Sequence, residues 1–181
     1  MIEYIGNCSQ HINWDDVIRQ CENNPPEFIG PSHKKGDDIP GLNEVADLWE
    51  QAGYKNLKDG GTVGWGMYMP GKQFDERSLQ KFCEIFKIEK YYTAWISRID
   101  VGCLAPLHWD VNDNEEKLSK LDPVVRYHCH ISQPKFGHIF IAGDQCFYNQ
   151  PQGSTFKWSD RKLWHAGSNC GLEPKYILNL W

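Results

Sequence analysis

Residues 124–131 read VVRYHCHI, and the conformation of this run decides what the rest of the chain can build around it. Extended backbone sends alternate side chains to opposite faces. Arg126, His128 and His130 then share one face, and Val125, Tyr127, Cys129 and Ile131 share the other. A helix would scatter both sets around its circumference, whereas a strand sorts them. The apolar face calls for a hydrophobic layer. The other is a row of donors and cations that faces either solvent or a cavity, and alternation alone leaves both open.

The neighbouring sequence has the same texture. From about Tyr91 onward, β-prone runs alternate with turn residues: TAWISRIDV, GHIFIAG, QCFY, STFKW and KYILNLW. With the flanks of His108 and His165 they make about eight short strands, the rhythm of an antiparallel sandwich or jelly roll. Upstream the periodicity is helical. NWDDVIRQCEN carries Val17, Ile18 and Cys21 behind an Asn13 cap. LNEVADLWEQAG repeats Leu42, Val45, Leu48, Trp49 and Ala52 and stops at Gly53. DERSLQKFCEIFKI places Leu79, Phe82, Ile85 and Phe86 on one stripe behind Asp75. All three stripes are expected to face the core. Two Pro- and Gly-rich stretches between them, around residues 24–40 and 58–73, read as loops, the second as a candidate hairpin.

The predicted fold is mainly β with N-terminal helices, a double-stranded β-helix (jelly-roll) core covered on one sheet by helices. One domain over 1–181 is expected, with 1–90 mostly helical and loop cover and 91–181 the core.

Composition narrows the function. The net charge is −5 over 181 residues and no basic stripe appears, which argues against a nucleic-acid partner. No run of apolar residues is long enough to span a membrane. The opening MIEYIGNCSQHINWDD lacks the basic and apolar parts of a signal peptide. Seven cysteines without a Cys-x-x-Cys pair give neither a disulfide framework nor zinc-finger spacing, so a reduced, cytoplasmic protein is expected. Cys129 and Cys146 read as small buried residues. Oligomeric state is not legible.

Chemistry enters at LAPLHWDVND, residues 104–113. On extended backbone His108 and Asp110 project to the same side and can meet one ion. About 0.5 His-x-Asp triplets are expected by chance with 7 His and 13 Asp, so the pair needs company. His165, in LWHAGSNCG, supplies a third ligand. Two imidazoles and one carboxylate leave open positions on an octahedral iron. Lys175 stands in the otherwise apolar EPKYILNLW, either at the surface or turned inward, where it would need a carboxylate partner. Isolated histidines are more often structural than ligating, and His11, His33, His130 and His138 are left in that class.

The ordered set in ISRIDVGCLAPLHWD, VVRYHCHI and LWHAGSNCGLEPKYILNLW resembles the Fe(II)/2-oxoglutarate-dependent oxygenases, and more narrowly the aspartyl/asparaginyl β-hydroxylase group. The resemblance spans roughly residues 93–181. It implies a cupin-like core in which His108, Asp110 and His165 hold Fe(II). By the same resemblance Lys175, ten residues after His165, takes the place of an arginine that binds the distal carboxylate of 2-oxoglutarate. Arg126 and His128 match the group's Arg-x-His at the C1 carboxylate, and Ser97, eleven residues before His108, matches an assisting serine. Lysine for arginine keeps the charge and loses the bidentate fork. Vertebrate-type members of the group lack the carboxylate ligand that this chain keeps as Asp110, and a halogenase would also lack it.

The implied activity is a dioxygenase that hydroxylates a C–H bond, with O2 and 2-oxoglutarate as co-substrates and succinate and CO2 as products. The expected substrate is an amino-acid side chain in a peptide or protein, or a small molecule. The competing class is a non-redox cupin-like metalloprotein, an isomerase, hydrolase or metal-dependent binder, which has no need of two separated carboxylate clamps. A third reading is an interaction module with an inert barrel.

Overall fold

The computed structural model describes residues 1–31, 42–110 and 124–181. Eleven strands and three α-helices follow one another in these segments. They are β1 (Glu3–Asn7), α1 (Trp14–Glu22), β2 (Phe28–Gly30), α2 (Leu42–Gln51), β3 (Trp65–Tyr68), α3 (Glu76–Phe86), β4 (Ala94–Ile99), β5 (Leu104–His108), β6 (Arg126–His130), β7 (His138–Ala142), β8 (Gln145–Tyr148), β9 (Ser154–Trp158), β10 (His165–Asn169) and β11 (Lys175–Leu180).

Two antiparallel sheets result. The larger runs β1-β9-β6-β11-β4-β3-β2 and the smaller β5-β10-β7-β8. From β4 onward the chain switches sheet after almost every strand, so β9-β6-β11-β4 and β5-β10-β7-β8 form the two walls of a double-stranded β-helix. The expected class therefore holds, and all eight strands of the C-terminal half form where the sequence places them.

The helices cover the larger sheet through one apolar layer. Trp14, Val17 and Cys21 of α1 and Leu79 and Phe82 of α3 are buried against Ala94 and Ile96 of β4, Cys129 of β6 and Leu178 and Leu180 of β11. Each such large apolar side chain contributes about 1.5–3 kcal/mol on burial. Both helix starts are capped as the sequence suggests. The Asn13 side chain accepts from the Asp16 N–H and the Asp75 side chain from the Arg77 N–H, which satisfies amides that have no intrahelical partner.

Four expectations are corrected. The first ninety residues also contribute β1, β2 and β3, which extend the larger sheet at both edges. The second loop stretch does not close on itself as a hairpin: its strand β3 lies between β4 and β2, pairing with sequence-distant partners. The α2 stripe is not a core stripe throughout. Val45 is buried, but Leu48 is 42% exposed, because α2 leans on β5 through Trp49, whose Nε1 donates to the Leu107 carbonyl at 2.9 Å. Cys146 is exposed, since on edge strand β8 it is Phe147 that turns to the core. All seven cysteines are free thiols. No described helix is long and apolar enough to cross a membrane.

Candidate metal centre

His108 ends β5 and His165 begins β10, and the ladder between these strands sets them directly opposite each other. Their rings approach to 4.3 Å between centroids. Asp110, two residues past His108 on extended backbone, returns to the same side. Its Oδ1 lies 3.7 Å from His108 Nε2 and 3.4 Å from His165 Nε2. One ligand atom from each residue falls within 4.8 Å of the others, the geometry of a group that could hold a metal ion.

Both imidazoles are oriented by the backbone two residues before them. His108 Nδ1 sits 2.6 Å from the Pro106 carbonyl and His165 Nδ1 2.9 Å from that of Leu163. A carbonyl can only accept, so each Nδ1 carries the proton and each Nε2 presents its lone pair to the common centre. Trp65 lies parallel to the His108 ring at 6.4 Å, and Trp49 meets it edge-on at 5.8 Å.

The electrostatics suit a divalent cation. Burial, reinforced by His165, lowers the His108 pKa to about 4, so this ring is neutral at physiological pH. Burial pushes the Asp110 carboxyl upward, yet the charges of His165, Arg126 and His108 prevail and hold it well below the usual carboxylate range. Burial pulls His165 down, but the adjacent Asp110 outweighs it and the net shift is upward. The three side chains keep 12–17% exposure, so the centre is reachable.

The row Arg126, His128 and His130 faces inward, between the sheets, and is 3–7% exposed. Arg126 Nε lies 2.9 Å from Asp110 Oδ2 without an N–H aimed at it, a Coulombic contact and not a hydrogen bond. Its guanidinium stacks 4.5 Å from the Trp181 ring centroid. His128 stacks on Phe140 at 3.9 Å. Arg126 Nη1, His128 Nε2 and His130 Nε2 are buried and have no hydrogen-bond partner among the described residues.

Lys175 also turns inward and is 1% exposed. Its Nζ donates to the Ile139 carbonyl at 2.6 Å. Among the described residues no carboxylate pairs with it, and burial alone lowers its pKa to about 7. Ser97 Oγ accepts from Trp95 Nε1 and from Asn179 Nδ2, each at 3.0 Å. With both lone pairs engaged, its own proton is left to donate.

A cavity of about 90 Å3 joins these groups, lined by His108, Asp110, His165, Arg126, His128 and Ser97 with aromatic and small residues. Lys175 does not line it. Its Nζ lies behind Gly167, which does, 3.9 Å from the point where a Cβ on that residue would sit. The structure thus gathers all seven sequence-predicted residues in or against one interior. It adds Asn179, Trp65 and Trp181, which line the cavity, and His130, which like Lys175 is buried between the sheets without lining it. Period-two alternation from Lys175 points to Asn179, and from His128 to His130.

No protein-family model and no curated protein sequence matches the chain. Solved structures with similar folds include an oxalate decarboxylase (16% identity, TM-score 0.38, covering 65% of this chain and 25% of that one). A 2OG-Fe(II) oxygenase family oxidoreductase from Burkholderia pseudomallei gives 16% identity and TM-score 0.38, covering 59% of this chain and 52% of that one. A prolyl hydroxylase from Trichoplax adhaerens, solved with a hypoxia inducible factor peptide fragment, gives 14% identity and TM-score 0.45, covering 99% and 82%. This chain therefore spans only a quarter and a half of the first two in length. At such identities the likeness concerns the fold alone, which the strand order already establishes.

Proposed function

We propose that the chain is an Fe(II)/2-oxoglutarate-dependent dioxygenase that hydroxylates a C–H bond of an amino-acid side chain, in a peptide or as a free small molecule. The observation that carries this reading is Lys175, a buried cation with no acidic partner among the described residues, in the same barrel as a His/Asp/His cluster. A buried charge is costly unless paired. A dicarboxylic acid offers the missing charge, while a metal-only site leaves the lysine unexplained.

The residues present fit both groups. His108, Asp110 and His165 would hold the iron through two imidazole Nε2 atoms and one carboxylate, a set that leaves coordination positions open. Buried Arg126 Nη1 and His128 Nε2, without partners among the described residues, would receive the acid's C1 end, and Ser97 would donate its free proton. Lys175 would take the distal carboxylate. When bound, iron would activate O2, the oxidant, and 2-oxoglutarate would give up two electrons, so that one oxygen atom ends in the alcohol and the other in succinate, with CO2 released. The protein's part is orientation and exclusion of water: the carbonyls of Pro106 and Leu163 fix the imidazoles, and Trp65, Trp95 and Trp181 wall the cavity. Seven free thiols support a reducing, cytoplasmic setting.

The test is an anaerobic titration of the protein with Fe(II) and 2-oxoglutarate, following the visible charge-transfer absorption of the chelate. The band is expected in the wild type and absent in His108→Ala and Asp110→Ala. Bound metal with no band in the wild type would assign the site to non-redox cupin chemistry.

A further inference from the structure

Lys175 alone is an incomplete seat for a carboxylate. An ammonium is a point charge without the two-pronged fork of arginine, and the Lys175 Nζ already gives one hydrogen bond to Ile139. In the β6–β11 ladder His130 stands opposite Ile177, and Ile177 shares the inner face with Lys175 two residues away. His130 and Lys175 are therefore diagonal cross-strand neighbours, a relation that spans roughly 7–8 Å between backbones and that long side chains bridge. They are close enough for the Lys175 charge to join burial in keeping the His130 ring neutral. The ring is held edge-on against Phe140 and Phe156 at 5.9 and 5.8 Å. Its buried Nε2 has no hydrogen-bond partner among the described residues.

We infer that His130 is the second donor of the distal-carboxylate seat: Nε2–H of the neutral ring gives one hydrogen bond and the Lys175 ammonium the other. Two residues from adjacent strands thereby replace one guanidinium fork. The inference rests on the co-substrate reading above and adds to it a residue whose sequence position carried no such signal. The ligand it recognises is a carboxylate at the far end of a 2-oxo diacid.

The experiment is calorimetric titration of Mn(II)-loaded protein, without O2, using 2-oxoglutarate and 2-oxopentanoate, the same chain length lacking the distal carboxylate. His130→Phe is expected to weaken 2-oxoglutarate about tenfold or more, as for loss of a hydrogen bond to a charged group, and to leave 2-oxopentanoate unchanged. His130→Gln, which keeps a donor at similar reach, is expected to restore most of the loss. Adding Lys175→Arg to His130→Phe supplies the fork and is expected to recover affinity, and His130→Leu, smaller and also without a donor, repeats the measurement if His130→Phe folds poorly. Unchanged 2-oxoglutarate affinity in His130→Phe, or equal weakening of both acids, overturns the inference while leaving the co-substrate reading intact. A wild type that binds neither acid overturns both.

Discussion

Trp109 and Trp164 meet edge to face, 4.4 Å between centroids and 89° between planes, on the reverse side of the ribbon that presents His108 and His165 inward. Each indole is the chain neighbour of one of the two histidines that the ladder sets opposite each other. One cross-strand pair is thus backed by another, and the aromatic pair braces the spacing of the two imidazoles from outside.

Replacing either indole should therefore loosen the metal without touching a ligand. An aromatic pair contributes about 0.5–1.5 kcal/mol beyond its buried area. Trp109→Ala or Trp164→Ala is expected to weaken divalent-metal affinity roughly three- to tenfold by that measure. Trp109→Phe should retain most of it. Competition with a chromophoric chelator reads the result.

Asp110 has two roles, and Asp110→Asn separates them from the rest of the site. The metal set loses its only charge, so affinity should fall at least a hundredfold. Arg126, 4% exposed at its side chain, loses its counter-charge as well. Breaking a buried pair costs about 3–5 kcal/mol, and the 17% exposure of Asp110 argues for about 2–3 here. Chemical denaturation of the metal-free protein checks the second figure.

Lys175 makes both stability and acid binding depend on pH. Burial brings its folded pKa down to about 7 from the 10.5 of a solvated lysine, so between these values the unfolded chain holds the extra proton. By linkage this group adds stability as pH rises through that window, and its full penalty applies below pH 7. Lys175→Met should remove the penalty, leaving the metal-free variant more stable than wild type at pH 6 and abolishing selection for a distal carboxylate. In the wild type a carboxylate needs the protonated lysine. Affinity for 2-oxoglutarate should thus fall as pH rises above about 7, with proton uptake visible as buffer-dependent binding enthalpy.

Gly167 tests the passage to that lysine. A Cβ there would lie 3.2 Å from Ile99 Cδ1 and 3.9 Å from Lys175 Nζ, so Gly167→Ala narrows the cavity in front of the ammonium. Diacid affinity should drop severalfold while metal affinity, measured without the acid, stays near wild type.

What the sequence made legible was local. Alternation in β6 and β11 and the caps Asn13 and Asp75 report on their own neighbourhoods, and they survive folding. β2 and β3 did not announce themselves because their pairing is with distant strands: β2 has three residues, two of them, Phe28 and Ile29, at least half exposed, and β3 carries a glycine. The same limit hid His130. Alternation grouped it with His128, but whether that face met solvent or a second sheet depended on β7 and β10, far along the chain. The His/Asp/His cluster was legible only as an ordered set, since the register that brings His108 to His165 is a property of the ladder. The Pro- and Gly-rich loop expected over residues 24–40 falls largely on 32–41, outside the described residues, as does His33.

The division of labour between the two sheets has a consequence for selectivity. The metal set belongs to the smaller sheet and the segment leaving it, while Lys175 and His130 belong to the larger. Hydrogen-bond ladders fix position within a sheet, and side-chain packing fixes the gap between sheets, so the distance from metal to lysine is the jaw opening of a caliper. On the proposed reading that opening grades 2-oxo diacids by length, holding the five-carbon acid and slighting the four- and six-carbon ones. Trimming a packing residue between the walls, such as Ile99 where it faces Gly167, would then reset the gauge without altering any group that touches the acid's oxygens.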